Sequence, residues 1–385
     1  MSEYILSEIA DVIDCEHKTA PKVDSSNYCS VRTTDIANGK IDYENANRVS
    51  EETYTEWTKR ATPEPEDIVL AREAPVGEVG WVKDGYKVCL GQRTVLIKVT
   101  HSEVFKKFLL YHLVNPESKY ELRVRSGGSV VAHLNMKDIR NFKLSLPSFP
   151  EQKAIAQVLS SLDDKIDLLH RQNKTLEAIA ETLFRQWFIE EAQDDWEEGN
   201  LGDVIDIFDG KRIPLSKMER NKRKDGFLYP YYGASKVMDY INDYIFDGDH
   251  ILLGEDGTVR TDEGYPVLQY ATGKFWANNH THVLRAKAPF SNFFLWNYLI
   301  KKNIDEIITG AVQPKINQGN LKSLEFPKFP ERLVTTFNET TEPILAKIKK
   351  NKIQEVSLEK LRDTLLPKLM SGEVRVAVEP NQKAA

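Results

Sequence analysis

The sequence predicts an α+β chain. Two mixed α/β globular domains are separated by two long helices that form an antiparallel coiled coil, the whole an internal repeat with a pseudo-two-fold axis. Three observations predict it. An unbroken heptad seam runs through "LPSFPEQKAIAQVLSSLDDKIDLLHRQNKTLEAIAETLFRQWF" (Leu146–Phe188), and a weaker echo of it follows Phe326. Four stretches of the first half recur in the same order in the second. The segments between carry short β-rich runs punctuated by Gly, Asn and Asp, the pattern of strands joined by turns.

The repeat sets the domain boundaries. "IADVIDCEHKTAP" (Ile9–Pro21) resembles "LGDVIDIFDGKRIP" (Leu201–Pro214), with Asp-Val-Ile-Asp identical at Asp11–Asp14 and Asp203–Asp206. "EDIVLAREAPVG" (Glu66–Gly77) matches "GDHILLGEDGTV" (Gly248–Val259). "SGGSVVAHLNMKDIRNFKLSLPSFPEQ" (Ser126–Gln152) matches "TGAVQPKINQGNLKSLEFPKFPER" (Thr309–Arg332), placing Asn135 and Asn317 182 residues apart. The runs "TVLIKV" (Thr94–Val99), "DHILLG" (Asp249–Gly254) and "THVLRA" (Thr281–Ala286) read as strands, and Ser102–Val114 and Ser291–Lys302 as short amphipathic helices.

The long helices are the most regular elements. Pro150–Glu151 and Pro330–Glu331 suit helix starts, since proline fits the first turn and a carboxylate favours the positive end of the helix dipole. From Ile155 the seam steps by four and three through Leu159, Leu162, Ile166, Leu169, Asn173, Leu176, Ala180, Leu183 and Trp187. This is a heptad with leucine at d and Asn173 at an a position. At the same spacing the echo gives Phe337, Thr341, Ile344, Ile348, Asn351, Glu355, Leu358, Arg362, Leu365 and Leu369, six of ten apolar. A single apolar seam cannot bury itself, and the duplicate offers a matching surface. The expected pairing residues are therefore Leu162, Ile166, Leu169, Asn173, Leu176, Leu183, Ile344, Ile348, Leu358 and Leu365. A helix of about 40 residues spans roughly 60 Å. Each helix packing on its own globule is the alternative, which sustained heptad spacing disfavours.

Composition narrows the function classes. The 385 residues are 41% hydrophobic and 29% charged, with net charge −6. A coat of basic residues is excluded, but local basic surfaces are not. Lys211–Lys224 holds seven Lys/Arg against one Glu. No apolar run approaches the ~20 residues of a membrane span, and the acidic start lacks the form of a signal peptide. Three scattered cysteines, Cys15, Cys29 and Cys89, fit a reducing cytoplasm better than a zinc or disulfide framework. Catalytic signatures are missing. Gly273–Lys274 is followed by Phe275, not the Ser/Thr of a phosphate-binding loop. No methyl-donor glycine loop follows a strand, and no Asn/Asp-Pro-Pro-aromatic motif occurs. His280 and His282, two apart, would share one strand face, but no further ligand cluster accompanies them. No metal is expected.

Two variable globules, each closed by "LPSFPEQ" or "FPKFPER" and a long helix, resemble the specificity subunit of type I restriction-modification enzymes. "GDVIDIFDGKRIP", Tyr229–Thr258 and the ending "LEKLRDTLLPKLMSGEVRV" (Leu358–Val376) carry the same resemblance, which covers nearly the whole chain. It implies target-recognition domains at 1–146 and 193–327, long helices at 147–192 and 328–375, and a tail at 376–385. It also implies a non-catalytic cytoplasmic subunit that binds double-stranded DNA. Each recognition domain would read half of a split target, with the helices setting the spacer. Two methylation subunits would dock on it and, through them, restriction subunits. S-adenosylmethionine and ATP are expected on those partners, with no cofactor on this chain. The competing readings are a coiled-coil scaffold and a self-contained DNA methyltransferase or nuclease.

DNA contact needs cations and amides for phosphates, and Arg, Lys, Asn, Gln or hydroxyls for base edges. In the first globule the candidates are Arg72, Gln92, Arg93, Arg123, Arg125, Ser126 and His133. In the second they are Lys211, Arg212, Tyr232, Ser235, Lys236, Asn278, Asn279, His280, Gln313 and Lys315. Asn135 and Asn317, at equivalent repeat positions, read as helix caps, because two recognition domains should read different sequences.

Overall fold

The structure, a computed structural model, describes residues 2–127, 132–192, 196–310 and 312–377. Residues 128–131, between the candidates Ser126 and His133, the start of the second expected domain and most of the expected tail lie outside them. The chain divides into two compact units: residues 1–168 with 354–385, and residues 169–353. Each long helix, Phe149–Arg185 and Glu331–Met370, contributes a segment to each unit.

In the first unit a four-stranded antiparallel sheet has the order Ala10–Asp14, Thr94–Val99, Ile68–Ala71, Val79–Trp81. The middle strands, "TVLIKV" and "IVLA", are buried along most of their length, as expected where helices or loops cover both sheet faces. A smaller sheet centres on Tyr28–Val31, paired antiparallel with Asn47–Val49 and parallel with Lys87–Leu90. The second unit repeats this plan. Its larger sheet runs Ile205–Ile207, Thr281–Ala286, His250–Gly254, Leu268–Ala271. Its smaller one centres on Tyr229–Tyr232, antiparallel to Val237–Ile241 and parallel to Trp276–Ala277. The sequence echo is thus a repeat of strand order.

The expected short helices form at Lys106–Val114 and Asn292–Leu299, the latter capped by the Ser291 hydroxyl accepting from the Phe294 amide at 3.0 Å. Asn317 caps its helix by accepting from the Asn320 amide at 2.8 Å. Asn135 holds the equivalent cap position, and its amide donates to Asp138 at 3.3 Å.

The helices pack within each unit. In the first, Ile155, Ala156 and Leu159 share a core with Leu366 and Leu369, and Leu365 packs against it. Beside them Arg362 donates to Asp163 at 2.8 Å, and the Tyr111 hydroxyl donates to the same carboxylate at 2.6 Å. Leu162 and Leu358 are half-buried and Ile166 is buried. In the second, Ala180 and Ile348 share a buried cluster with Phe293, and Leu176 and Ile344 pack on it. Phe184 lies 5.7 Å from Phe337, and Leu183 borders the same aromatic core. Leu169 is buried at the start of this unit's first helical segment. In both units residue numbers rise along one helix as they fall along the other. Asn173, whose neighbour the heptad alone leaves open, meets Asn351: the Asn351 amide donates to the Asn173 carbonyl at 2.9 Å, both buried.

Candidate nucleic-acid interface

In each unit, chemistry gathers at one end of the larger sheet. In the first, Asp14 ends one strand, Arg72 and Glu73 follow Ala71, and Arg93 precedes Thr94, which pairs with Ala71. His133 joins them through backbone bridging to Glu73. Arg93 has φ +70°, the left-handed region a non-glycine residue rarely adopts. Its carbonyl accepts from the Arg72 amide at 2.9 Å and its own amide lies 3.2 Å from the Cys15 sulfur, so neighbouring backbone holds the strained turn. The side chains form one chain of contacts. Arg72 Nη1 donates to both Asp14 oxygens at 2.7 and 2.9 Å, and Nη2 donates to His133 Nε2 at 2.9 Å. His133 Nδ1 lies 2.6 Å from Glu73 Oε1, and Arg93 Nε lies 2.9 Å from Glu73 Oε2. Gln92 is exposed alongside and touches the His17 carbonyl and the Thr19 hydroxyl.

In the second unit the same sheet end carries Glu255 and Asp256 after Gly254, and His280 before Thr281. Lys315 is bridged to Asp256 as His133 is to Glu73. Arg212 Nη1 donates to Glu255 at 2.5 Å and to the Thr281 carbonyl at 2.7 Å, and Lys315 Nζ lies 3.4 Å from Glu255. His280 Nδ1 is 2.5 Å from Asp256. The turn carrying Ser235 and Lys236, both exposed, is tied to this end. Gln269 donates to the Gly233 carbonyl at 2.9 Å, and the Asn278 amide donates to the Tyr232 carbonyl at 3.1 Å. Exposed Lys211 and Asn279 border it; Asn279 offers its carbonyl to Arg212 at 3.4 Å. Gln313 is exposed two residues from Lys315.

Several candidates are engaged by partners within their own unit. Arg72 is 6% exposed and spends its guanidinium on Asp14, His133 and the Leu134 carbonyl. The Arg212 side chain is 11% exposed and locked between Glu255 and backbone. Asn278 is buried, accepting from the His280 amide at 2.9 Å. Tyr232 is packed against Phe275, and burial pushes its hydroxyl up to about 12. In each case a buried charge or dipole needs its partners more than a ligand does. Arg123, Arg125 and Ser126 finish the helix Pro116–Arg125. Arg125 pairs with Glu121 one turn back, Arg123 leans on Glu78 and the Val76 carbonyl, and Ser126 donates to the Arg123 carbonyl. They serve the helix end and stand outside the cluster.

The two histidines expected on one strand face part company. His280 precedes the strand and is exposed. His282 is fully buried, with Nδ1 2.6 Å from Asp209 and Nε2 2.9 Å from the Ile316 carbonyl. Asp209, Glu255 and His282 bring ligand-type atoms within 4.8 Å of one another, and Arg212 supplies their countercharge. Burial pushes the Asp209 carboxyl up. The hydrogen bond and charge of His282, the Val283 amide and nearby Arg212 outweigh it and hold it below its usual range.

Sequence reasoning passed over the acids Asp14, Glu73 and Asp209 as site residues. The sequence echo sets Glu73 against Glu255, but the sheet register shifts the match by one: the Arg72 amide donates to the Arg93 carbonyl as the Glu255 amide donates to the His280 carbonyl, both at 2.9 Å, so Arg72 corresponds to Glu255 and Glu73 to Asp256. The guanidinium is therefore delivered from the strand end in one unit and from the Asp209–Arg212 loop in the other. Arg72→Ala is expected to cost about 3 kcal/mol of folding stability by stranding Asp14. A shift of the denaturant midpoint, without a change in the salt dependence of DNA binding, would show it.

The family model for the type I restriction modification DNA specificity domain matches residues 1–178 and 193–330. A type I restriction enzyme specificity subunit of Methanocaldococcus jannaschii is 26% identical over 376 residues, covering 89% of this chain and 85% of that protein. One of Escherichia coli is 22% identical over 271 residues, covering 67% of this chain and 66% of that protein. Among solved structures, the type I restriction-modification S subunit of M. genitalium superposes with a TM-score of 0.54 at 16% identity, covering 96% of this chain and 95% of that one; it shares the fold. No helix among the described residues is long and apolar enough to cross a membrane.

Proposed function

The chain belongs to the type I restriction-modification DNA specificity family, and from that premise we propose that it is a non-catalytic specificity subunit whose two recognition units each read one half of a split DNA target. The observation that carries this is the repeated sheet end: the same strand order twice presents exposed cations and polar groups at the same place. Arg93, Gln92 and His133 serve one half-site; Lys236, Ser235, Lys211, Asn279, His280, Gln313 and Lys315 serve the other. Recognition domains spanning 1–146 and 193–327 fit this division. The long helices form an antiparallel coiled coil with pseudo-two-fold symmetry. They fix the spacer and dock two methylation subunits, which bring S-adenosylmethionine and, through the restriction subunits, ATP-dependent cleavage. On this reading the chain works in the cytoplasm, with no cofactor or metal of its own.

Reconstitution with the methylation subunits tests this. Mapping methylated adenines should return one bipartite motif; methylation without split-site preference would reject the assignment. S-adenosylmethionine binding by the isolated chain would favour a self-contained methyltransferase instead. Arg93→Ala and Lys236→Ala are each expected to weaken sequence-specific binding by about 1–3 kcal/mol, measured by titration at fixed salt. No loss in either would remove both from the interface.

A further inference from the structure

We infer that Glu73 and Glu255 are built-in phosphate substitutes: each cancels the charge of the DNA-facing cations beside it, so that its unit favours base edges over phosphates. This rests on the DNA-specificity function proposed above and adds to it the means by which non-specific duplex is refused.

Each glutamate lies just past the end of a strand that occupies the same position in its sheet, Glu73 two residues beyond Ala71 and Glu255 directly after Gly254, so the two acids reach the rim from adjacent positions. Each is mostly buried, with side-chain exposures of 15% and 13%, yet each faces a cation at the rim. Glu73 pairs with Arg93, whose side chain is 54% exposed; Glu255 pairs with Lys315, 50% exposed. One partner of each acid corresponds in position: His133, against Glu73, and Lys315, against Glu255, both sit on the loop bridged back to the sheet end. The two units differ in sequence, yet each sets an acid against an exposed cation at this end. They do share the need to limit attraction to phosphate, which every duplex offers.

The physics separates the two kinds of contact. Phosphate attraction scales with net charge: each neutralised phosphate makes log K fall with log salt by about 0.9. A hydrogen bond to a base edge depends on donor position. Arg93 meets Glu73 through Nε, and its Nη groups retain their donors for a base edge. The pair is a net-neutral, aimed donor. It also fits a chain of net charge −6 whose task is discrimination.

The test uses the full chain assembled with its methylation subunits, and two duplexes, one carrying the mapped motif and one unrelated. Glu73→Gln keeps an acceptor for His133 and removes the charge. At 0.1 M salt the unrelated duplex should bind about eightfold more tightly, the salt slope should steepen by about one, and the methylated motif should stay the same. In Glu73→Gln/Arg93→Gln the gain should vanish, because Arg93 is the cation released. Glu255→Gln should act in the same direction through Lys315; if that variant misfolds because Arg212 is left unpaired, Glu73→Gln decides alone. Unchanged affinity for unrelated duplex, a gain that survives in the double variant, or a motif altered at one base pair would each overturn the inference, the last by making Glu73 a base reader. A wild-type complex without split-site preference would instead reject the family function itself.

Discussion

Removing one heptad from each long helix, Ile166–Gln172 together with Lys352–Leu358, is expected to shorten the spacer between half-sites and leave both half-site sequences unchanged. On the proposed antiparallel pairing the two segments face each other, and the Asn173–Asn351 bond lies just beyond both cuts. Seven residues rise about 10.5 Å, up to about three base pairs at 3.4 Å each. Phase matters as well as length. Three base pairs turn the duplex by about 100°, whereas seven residues fall only about 20° short of two full helical turns. The shortened protein must therefore twist or bend its DNA, at a cost on the order of 1–6 kcal/mol. Mapping methylated adenines should return the same halves across a shorter gap, methylated more slowly. Altered halves with the original gap would sink the idea that the helices measure distance.

What could be foreseen divides along physical lines. The heptads were legible because a buried seam constrains every third or fourth residue, and the helices form at Phe149–Arg185 and Glu331–Met370. The strand order repeats because the echoes around Asp11–Asp14, Glu66–Gly77 and Ser126–Gln152 fix the same pairings twice. The interface was only half legible. Residue type marked Arg93, Lys236 and Lys315, which are exposed at sheet ends, and equally marked Arg72, which is buried, and Arg212, whose side chain is mostly covered. Nothing local separates an arginine that faces solvent from one that neutralises Asp14 or Glu255. That depends on acids 58 and 43 residues away in the chain. The repeat located the sheet end but not its residues: the echo sets Glu73 against Glu255, whereas the pairing register sets Arg72 against Glu255, a shift of one residue that no sequence match reveals.

The last large effect concerns the helix seam. Asn173→Leu is expected to destabilise the second unit by about 1–3 kcal/mol, because it removes the acceptor of the buried Asn351 amide. Asn351 Oδ1 already lacks a hydrogen-bond partner among the described residues, so the single variant leaves that amide only the long 3.5 Å contact from its nitrogen to the Gln172 side-chain carbonyl. Asn173→Leu/Asn351→Leu should recover most of the loss, since replacing both partners with apolar groups of similar shape is near neutral. Two leucines then extend an apolar seam already carrying Leu176, Ala180 and Ile348. Stability returns and register does not. A paired asparagine at an a position penalises every alignment that separates it from its mate, whereas an all-apolar heptad accepts a slip of seven residues at small cost. Denaturant midpoints of the two singles and the double should give a coupling of about 1–3 kcal/mol. The double variant, though as stable as the parent, should methylate sites with more than one gap length. If its midpoint recovers and a single gap persists, the asparagine pair is not what sets the register.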